Sequence, residues 1–150
     1  MSYYKTDGGR TLKVISDVIK LSTRGFNDMK DITGLVAQRL EASKLKEGLV
    51  NLFMPGSTGG LTTIEFESGL VEDFSKLMER IIPSNAPYGH DQKWGDGNGF
   101  SHVRASLLGA SLTVPFSSGK LNLGTWQQIV FVDFDNRPRS RTILIQFLGE

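Results

Sequence analysis

Both histidines of the 150-residue chain fall within one stretch, Tyr88-Gly89-His90-Asp91-Gln92-Lys93-Trp94-Gly95-Asp96-Gly97-Asn98-Gly99-Phe100-Ser101-His102. Between them lie two carboxylates, two carboxamides and glycines that let the backbone curl. Imidazole nitrogens and carboxylate oxygens together suit a divalent ion of the zinc or manganese kind. The wide spacing is no zinc signature by itself, and the same residues in a solvated loop would only satisfy their own backbone. If residues 101–108 are helical, His102 and Ser106 project from one face toward whatever the stretch encloses.

Two further groups carry chemistry. Glu65 reads as mid-strand on a polar face with Thr63 and Glu67, where a carboxylate can act as ligand or proton acceptor; the plain alternative is the solvated face of an antiparallel sheet. Arg137, Arg139 and Arg141 are spaced by two, so an extended chain puts them on one face, where guanidinium forks can hold phosphate. Arg141 heads the same face as Ile143, Ile145 and Phe147, and an Arg leaning toward that apolar surface needs a partner. Gly56-Ser57-Thr58-Gly59-Gly60 is not a phosphate loop: no Gly-Lys-Ser/Thr follows, and Leu61 opens a strand. Its N–H groups and hydroxyls can still meet an anion. No local signature of Ser/His/Asp catalysis is present.

These groups must be placed by ordinary elements. Thr11 to Leu21 reads as a long strand bent near Ser16-Asp17, and Arg24-Gly25-Phe26 as a turn. Asp31 is suited to cap a helix carrying Ile32, Leu35, Val36 and Leu40, with Gly48 as its left-handed stop. Leu49 to Met54 and Leu61 to Glu67 are strands. Leu70, Val71, Phe74, Leu77, Met78, Ile81 and Ile82 mark an amphipathic helix closed by Pro83. Pro83 to Gly99 lacks periodicity and reads as a long loop, a length that inside a compact domain is usually functional or disordered. Ser101 to Leu108 is a short helix, and Ser111 to Phe116 a strand. Ile129-Val130-Phe131-Val132 has the continuous apolar run of a central strand buried on both faces. Asp135-Asn136-Arg137-Pro138 supplies the hairpin turn between that strand and a last one, Arg141 to Leu148. The sum is one α+β domain over residues 1–150, with two or three helices on a mainly antiparallel sheet.

Composition excludes several classes. Seventeen basic against sixteen acidic residues give a charge of +1, so nothing marks a nucleic-acid or anionic-membrane partner. The absence of cysteine removes disulfides, thiolate metal sites and a thiol nucleophile. A polar start without an apolar core and no run of about 20 apolar residues lead us to expect a soluble cytoplasmic protein. At 150 residues the chain is also short of the roughly 250 that a (β/α)8 barrel usually needs.

Three blocks, Pro87-Tyr88-Gly89-His90, His102-Val103-Arg104-Ala105-Ser106-Leu107-Leu108-Gly109 and Gly119-Lys120-Leu121-Asn122-Leu123-Gly124-Thr125-Trp126-Gln127, resemble the YjbQ family in sequence and in order. Weaker matches extend from Arg24-Gly25-Phe26 through Glu65 to Arg141 and Gly149-Glu150. The resemblance implies a mixed, mainly antiparallel sheet curled around helices, a homotrimer, and secondary thiamine-phosphate synthase activity, in which an aminopyrimidine-methyl diphosphate is joined to a thiazole phosphate and pyrophosphate is released. The substrate class is thus a small phosphorylated metabolite, and a non-catalytic metabolite-binding protein or a metal-dependent hydrolase using the same pocket are the alternatives. The family's polar residues correspond to Glu65, His90, Asp96 or Asn98, His102 and Arg141, expected around one cavity. It further implies His90, His102 and Asp96 as ligands of a divalent metal (Mg2+ or Zn2+). Glu65, His90, His102 and Arg141 are then the catalytic group, and Asp96, Asn98 and Arg139 the residues that bind phosphate or metal. Lys93 is a further candidate for phosphate and Trp94 for stacking on a pyrimidine. Two departures stand out: Gly56 occupies the place of a histidine common in the family, and Ile64 and Phe66 flank Glu65 where asparagines are usual.

Overall fold

The structure, a computed structural model, describes residues 2–5 and 11–150. Strands β1 (Ser2–Lys5), β2 (Thr11–Thr23), β4 (Gly48–Phe53), β6 (Ser111–Ser117), β7 (Lys120–Leu121) and β9 (Arg139–Gly149) form a six-stranded sheet in the order β1-β2-β9-β4-β6-β7. A second sheet of three strands places β8 (Gln128–Asp133) between β3 (Asp28–Asp31) and β5 (Gly59–Ile64). Every pairing among the described residues is antiparallel. Helices α1 (Thr33–Ser43), α2 (Ser68–Ile81), α3 (Gly89–Trp94) and α4 (Gly99–Leu108) complete an α+β architecture.

Strand β8 explains why the layers stack this way. Ile129 and Phe131 point into a core shared with Val36 and Leu40 of α1 and with Val50, Leu52, Ile143, Ile145 and Phe147 of the large sheet. Val130 and Val132 point the other way, toward Met78 of α2 and Ala105 of α4. All four are fully buried, so the apolar run is a central strand with a core on each side. On β9, Ile143, Ile145 and Phe147 are buried while Leu144 and Leu148 stay exposed, the alternation of a strand with one covered face.

The helices follow their sequence signals with two differences. Asp31 does serve the start of α1, its carboxylate accepting the Thr33 N–H at 2.9 Å. The helix stops earlier than expected, at Lys44 (φ 59°), and Gly48 instead opens β4, where an added Cβ would lie 2.1 Å from the Leu148 carbonyl oxygen. The close approach of β4 to β9, not a helix cap, is what requires a glycine there. The stretch read as a loop before Gly99 contains α3, six residues too short to show a hydrophobic period. Strand β2 is the one long strand expected, paired with β9 from Lys13 to Thr23.

At the start of α2 the Glu67 carboxylate accepts the N–H groups of Gly69 (2.7 Å) and Leu70. Glu67→Ala removes acceptors for two otherwise free helix donors and is expected to lower stability by about 1 kcal/mol, read as a shift in the urea midpoint at unchanged slope. No described helix is long and apolar enough to cross a membrane.

Candidate functional site

The imidazole site is built by two short helices held end to end. Gly95 (φ 70°) and Gly97 (φ 64°) let the chain leave α3 and double back into α4. The Asp91 carboxylate accepts the Gly99 N–H at 2.8 Å, and Gly99 packs so tightly on Tyr88 that a Cβ would sit 2.5 Å from it. His90 of α3 and His102 of α4 therefore face each other, with ring centroids 4.2 Å apart and planes 31° apart.

Carboxylates surround the pair. His90 Nδ1 lies 3.3 Å from Asp96 Oδ1 and 3.7 Å from Asp91 Oδ1, and it is a buried nitrogen without a well-formed hydrogen bond. With its amide nitrogen turned toward Asp96, Asn98 donates to both carboxylate oxygens, at 3.1 and 3.2 Å. The Asn136 side chain donates to the carbonyls of Asp96 (2.8 Å) and Gly97 (3.2 Å), fastening this loop to the turn between β8 and β9.

His90, Asp91 and Asp96 can each present a ligand atom within 4.8 Å of the others. One imidazole nitrogen with two carboxylates fits Zn2+ or Mn2+ better than Mg2+, which prefers oxygen alone. The orphaned Nδ1 is what such an ion would satisfy. This trio contains Asp91 where the sequence pointed to His102, whose ring lies against that of His90. Burial, then the neighbouring His90, holds the His102 imidazole below its ordinary value, outweighing the pull of Asp96, Asp135 and Asp91. Near pH 7 His102 is therefore a neutral ring with one donor and one acceptor nitrogen.

The arginines meet carboxylates the sequence analysis did not single out. Asp133 and Asp135 are fully buried. Arg141 grips Asp133 with Nε and Nη2, both at 2.7 Å, and Nη2 also reaches Thr58 Oγ1 (2.8 Å) and Asp135 (3.3 Å). Arg139 Nε donates to Asp135 at 2.6 Å. Thr23 adds its hydroxyl to Asp133 at 2.5 Å, and Thr58 donates to Asp135 at 3.1 Å. Burial pushes Asp135 up, but the hydrogen bonds from Arg139, the Asn136 N–H and Thr58 win and leave it below the ordinary carboxylate value. For Arg141 burial acts downward and is outweighed by Asp133 and Asp135. Nε and Nη2 of Arg141 and Nε of Arg139 are thus committed internally, and Nη1 of Arg141 and both Nη atoms of Arg139 stay without a hydrogen bond among the described residues. The signal was in Asp133-Phe134-Asp135, which carries two carboxylates straight on from an apolar run.

Glu65 does not join these groups within the chain. Strand β5 begins at Gly59 opposite Asp133 and ends at Ile64 opposite Gln128. At about 3.3 Å per residue, Glu65 is roughly 20 Å along from Gly59. The strand stops before Glu65 because the Phe66 N–H goes to the Gln128 side chain at 2.8 Å, and Glu65 is exposed. Trp94 is also exposed, with the Lys93 ammonium 5.3 Å from its ring.

Arg104 is a residue that helical periodicity would flag. It sits on the buried stripe of α4 with Phe100, Ser101 and Ala105, and is 1% exposed. It donates to the Ile82 carbonyl (3.0 and 2.6 Å), Asn27 (3.0 Å) and Glu79 (2.6 Å), and lies 4.9 Å from the Phe100 ring. It ties α4 to the end of α2, and so fixes His102 one half-turn away.

The profile of the family described as "UPF0047 protein YjbQ-like" matches residues 17–150. A UPF0047 protein of Methanothermobacter thermautotrophicus is 38% identical over 142 residues, 95% of this chain and 97% of that protein. One of Archaeoglobus fulgidus is 40% identical over 87% of this chain and 98% of its own length. Among solved structures, a YbjQ-like protein of unknown function from Sulfolobus solfataricus superposes with a TM-score of 0.87 at 34% identity, covering 93% of this chain and 99% of that one. A hypothetical protein from Aeropyrum pernix gives 0.84 at 29% identity, covering 91% and 99%. With the profile running through α3, α4 and β9, where the imidazoles and arginines lie, the chain belongs to the YjbQ-like UPF0047 family.

Proposed function

We propose that this chain is a metal-assisted transferase that joins an aminopyrimidine-methyl diphosphate to a thiazole phosphate. The observation that carries the reading is the donor set of His90, Asp91 and Asp96, with an orphaned imidazole nitrogen beside the neutral His102. In the reaction the thiazole nitrogen forms a bond to the methylene carbon, the carbon–oxygen bond breaks, and its electron pair leaves with pyrophosphate. Atoms and charge balance without a net proton transfer.

The chemical demand is charge stabilisation on the departing diphosphate. A divalent ion held by His90, Asp91 and Asp96 would supply positive charge there. Asn98 keeps Asp96 aimed, and Asn136 holds the loop that carries it. His102 donates an N–H to a diphosphate oxygen; the incoming negative charge raises its proton affinity, so it can hold a proton as the leaving group gains charge. Arg139 and Arg141 act mainly by fixing the wall formed by Asp133 and Asp135. The same reading takes the chain as a cytoplasmic homotrimer, and the apolar outer face of the large sheet, with Val18, Leu49, Phe53, Leu144 and Leu148 exposed, supports self-association.

The test is pyrophosphate release by purified protein given both substrates and Mn2+. Activity should fall with chelator and return with Mn2+, and His90→Ala should weaken Mn2+ binding by at least about 10-fold in calorimetry. Pyrophosphate released equally fast without the thiazole phosphate would identify hydrolysis instead. Substrate binding with no turnover would leave a metabolite-binding protein.

A further inference from the structure

The segment before β5 keeps several donors open. The Gly56 N–H is used on the Met54 carbonyl (2.9 Å), and the Thr58 carbonyl accepts from Phe134 (2.9 Å). Neither the Ser57 N–H nor the Thr58 N–H has a partner among the described residues, and the Ser57 hydroxyl has none either. Thr58 is 6% exposed, so its free N–H is held in a poorly hydrated place. Gly56, Ser57 and Gly59 form one side of an open cleft of about 160 Å3, and Ala105, Ser106, Gly109 and Ala110 the other; Thr58 and Arg141 are not part of this lining. One water needs about 10–15 Å3 of such space, so the cleft has room for a tetrahedral anion with some water. A Cβ built on Gly56 would lie 3.8 Å from Arg141 Nη1, the open nitrogen of a side chain that is 10% exposed.

The geometry points to an anion subsite here, in which the Ser57 N–H and hydroxyl take the oxygens of a phosphate group in the cleft, and the Thr58 N–H and Arg141 Nη1 reach it past Gly56, where no side chain intervenes. It rests on the proposed function only in identifying that group as the substrate's own phosphate. Ser106 lines the cleft and sits four residues beyond His102 on α4, about 6 Å along the axis. Phosphate bound here would therefore place the rest of a small molecule against the imidazole pair. Asp133 and Asp135 balance Arg139 and Arg141, so the cluster offers directed donors without a strong net field. Binding of a bare anion is accordingly weak and specific in geometry. The missing side chain at Gly56 is what leaves Nη1 open to a ligand.

Inorganic phosphate titrated into isotope-labelled, metal-free protein tests this. Saturable shifts are expected at the Ser57 and Thr58 amide resonances and at the Arg141 side chain. Gly56→Glu should weaken that binding at least tenfold, because its carboxylate takes the open side of Arg141 Nη1 and repels the anion. Gly56 has no left-handed φ, and its Cβ would crowd only the far end of the unbranched Met54 side chain, Cε at 2.7 Å, so the variant can fold. Gly56→Ala should bind within a few-fold of the parent, and Mn2+ affinity should stay unchanged in both. Shifts confined to other residues, or equal affinity in Gly56→Glu, would overturn the subsite. Phosphate at this loop with no pyrophosphate release leaves the subsite standing and removes the transferase. Turnover with no phosphate effect at the loop does the reverse.

Discussion

Replacing Asp133 with alanine is expected to destabilise the fold by about 3–5 kcal/mol, because it strips the partner from a buried cation. Arg141 has 10% of its side chain exposed and gives Asp133 two hydrogen bonds of 2.7 Å. Asp133 also accepts the Thr23 hydroxyl and the Asp135 N–H (3.0 Å). Alanine leaves a guanidinium half-satisfied in an apolar wall and two further donors short of an acceptor. Asp133→Leu with Arg141→Leu removes both charges and should cost much less than the single change, since burying an ion pair gains little over burying apolar groups of similar volume. Urea unfolding at unchanged slope checks both. A single variant within 1 kcal/mol of the parent, or a double variant no better than the single one, is incompatible with this account. The same cluster sets the acid limit. Asp135 lies below its ordinary value of 3.8 when folded, so its stabilisation is full above that pH and is lost as pH falls through the folded value.

Much of this frame was legible because single residues carried the periodicity. Ile129 to Val132 announced a strand buried on both faces, and β8 is that strand. Val71, Phe74 and Met78 marked the inner face of α2. The stretch containing both histidines was legible as the place for chemistry, since residue types able to ligate or move protons cluster there and periodicity does not. What local sequence does not encode is which distant groups will meet. Arg141 needed a partner by its place on β9, yet that partner, Asp133, is fixed by the turn after β8. That turn forms no hairpin but carries the chain from the small sheet to β9 in the large one, because β9 pairs with β2 and β4 instead. Glu65 looked like a strand residue because alternation continues past Ile64, while the backbone bond of Phe66 to Gln128 ends the ladder. Lys44 stops α1 through its own left-handed φ, which no residue preference announces. Periodicity puts Arg104 on the buried stripe of α4, but its partners Ile82, Asn27 and Glu79 come from distant parts of the chain.

The second large effect is expected at His102. His102→Gln should slow pyrophosphate release by about 10²–10⁴-fold, the usual range for losing a positioned proton donor or acceptor. Arg104 and the helix ends that place residue 102 are untouched by the change, so Mn2+ affinity at His90, Asp91 and Asp96 should persist. Acidity supplies a second readout that a purely structural role would not move. The folded His102 binds its proton less readily than the unfolded one, whose ordinary value is 6.5. As pH falls below about 6.5, the unfolded chain takes up that proton first, and the parent loses stability until the folded value is passed. Glutamine does not titrate, so this part of the stability profile should flatten in the variant. Pyrophosphate should act in the opposite direction on the parent, drawing the His102 resonance toward its protonated position at a given pH by placing negative charge beside the ring. A His102→Gln protein with undiminished turnover would transfer the role to His90; an unchanged pH profile would mean that the ring is not held neutral by its burial and by His90.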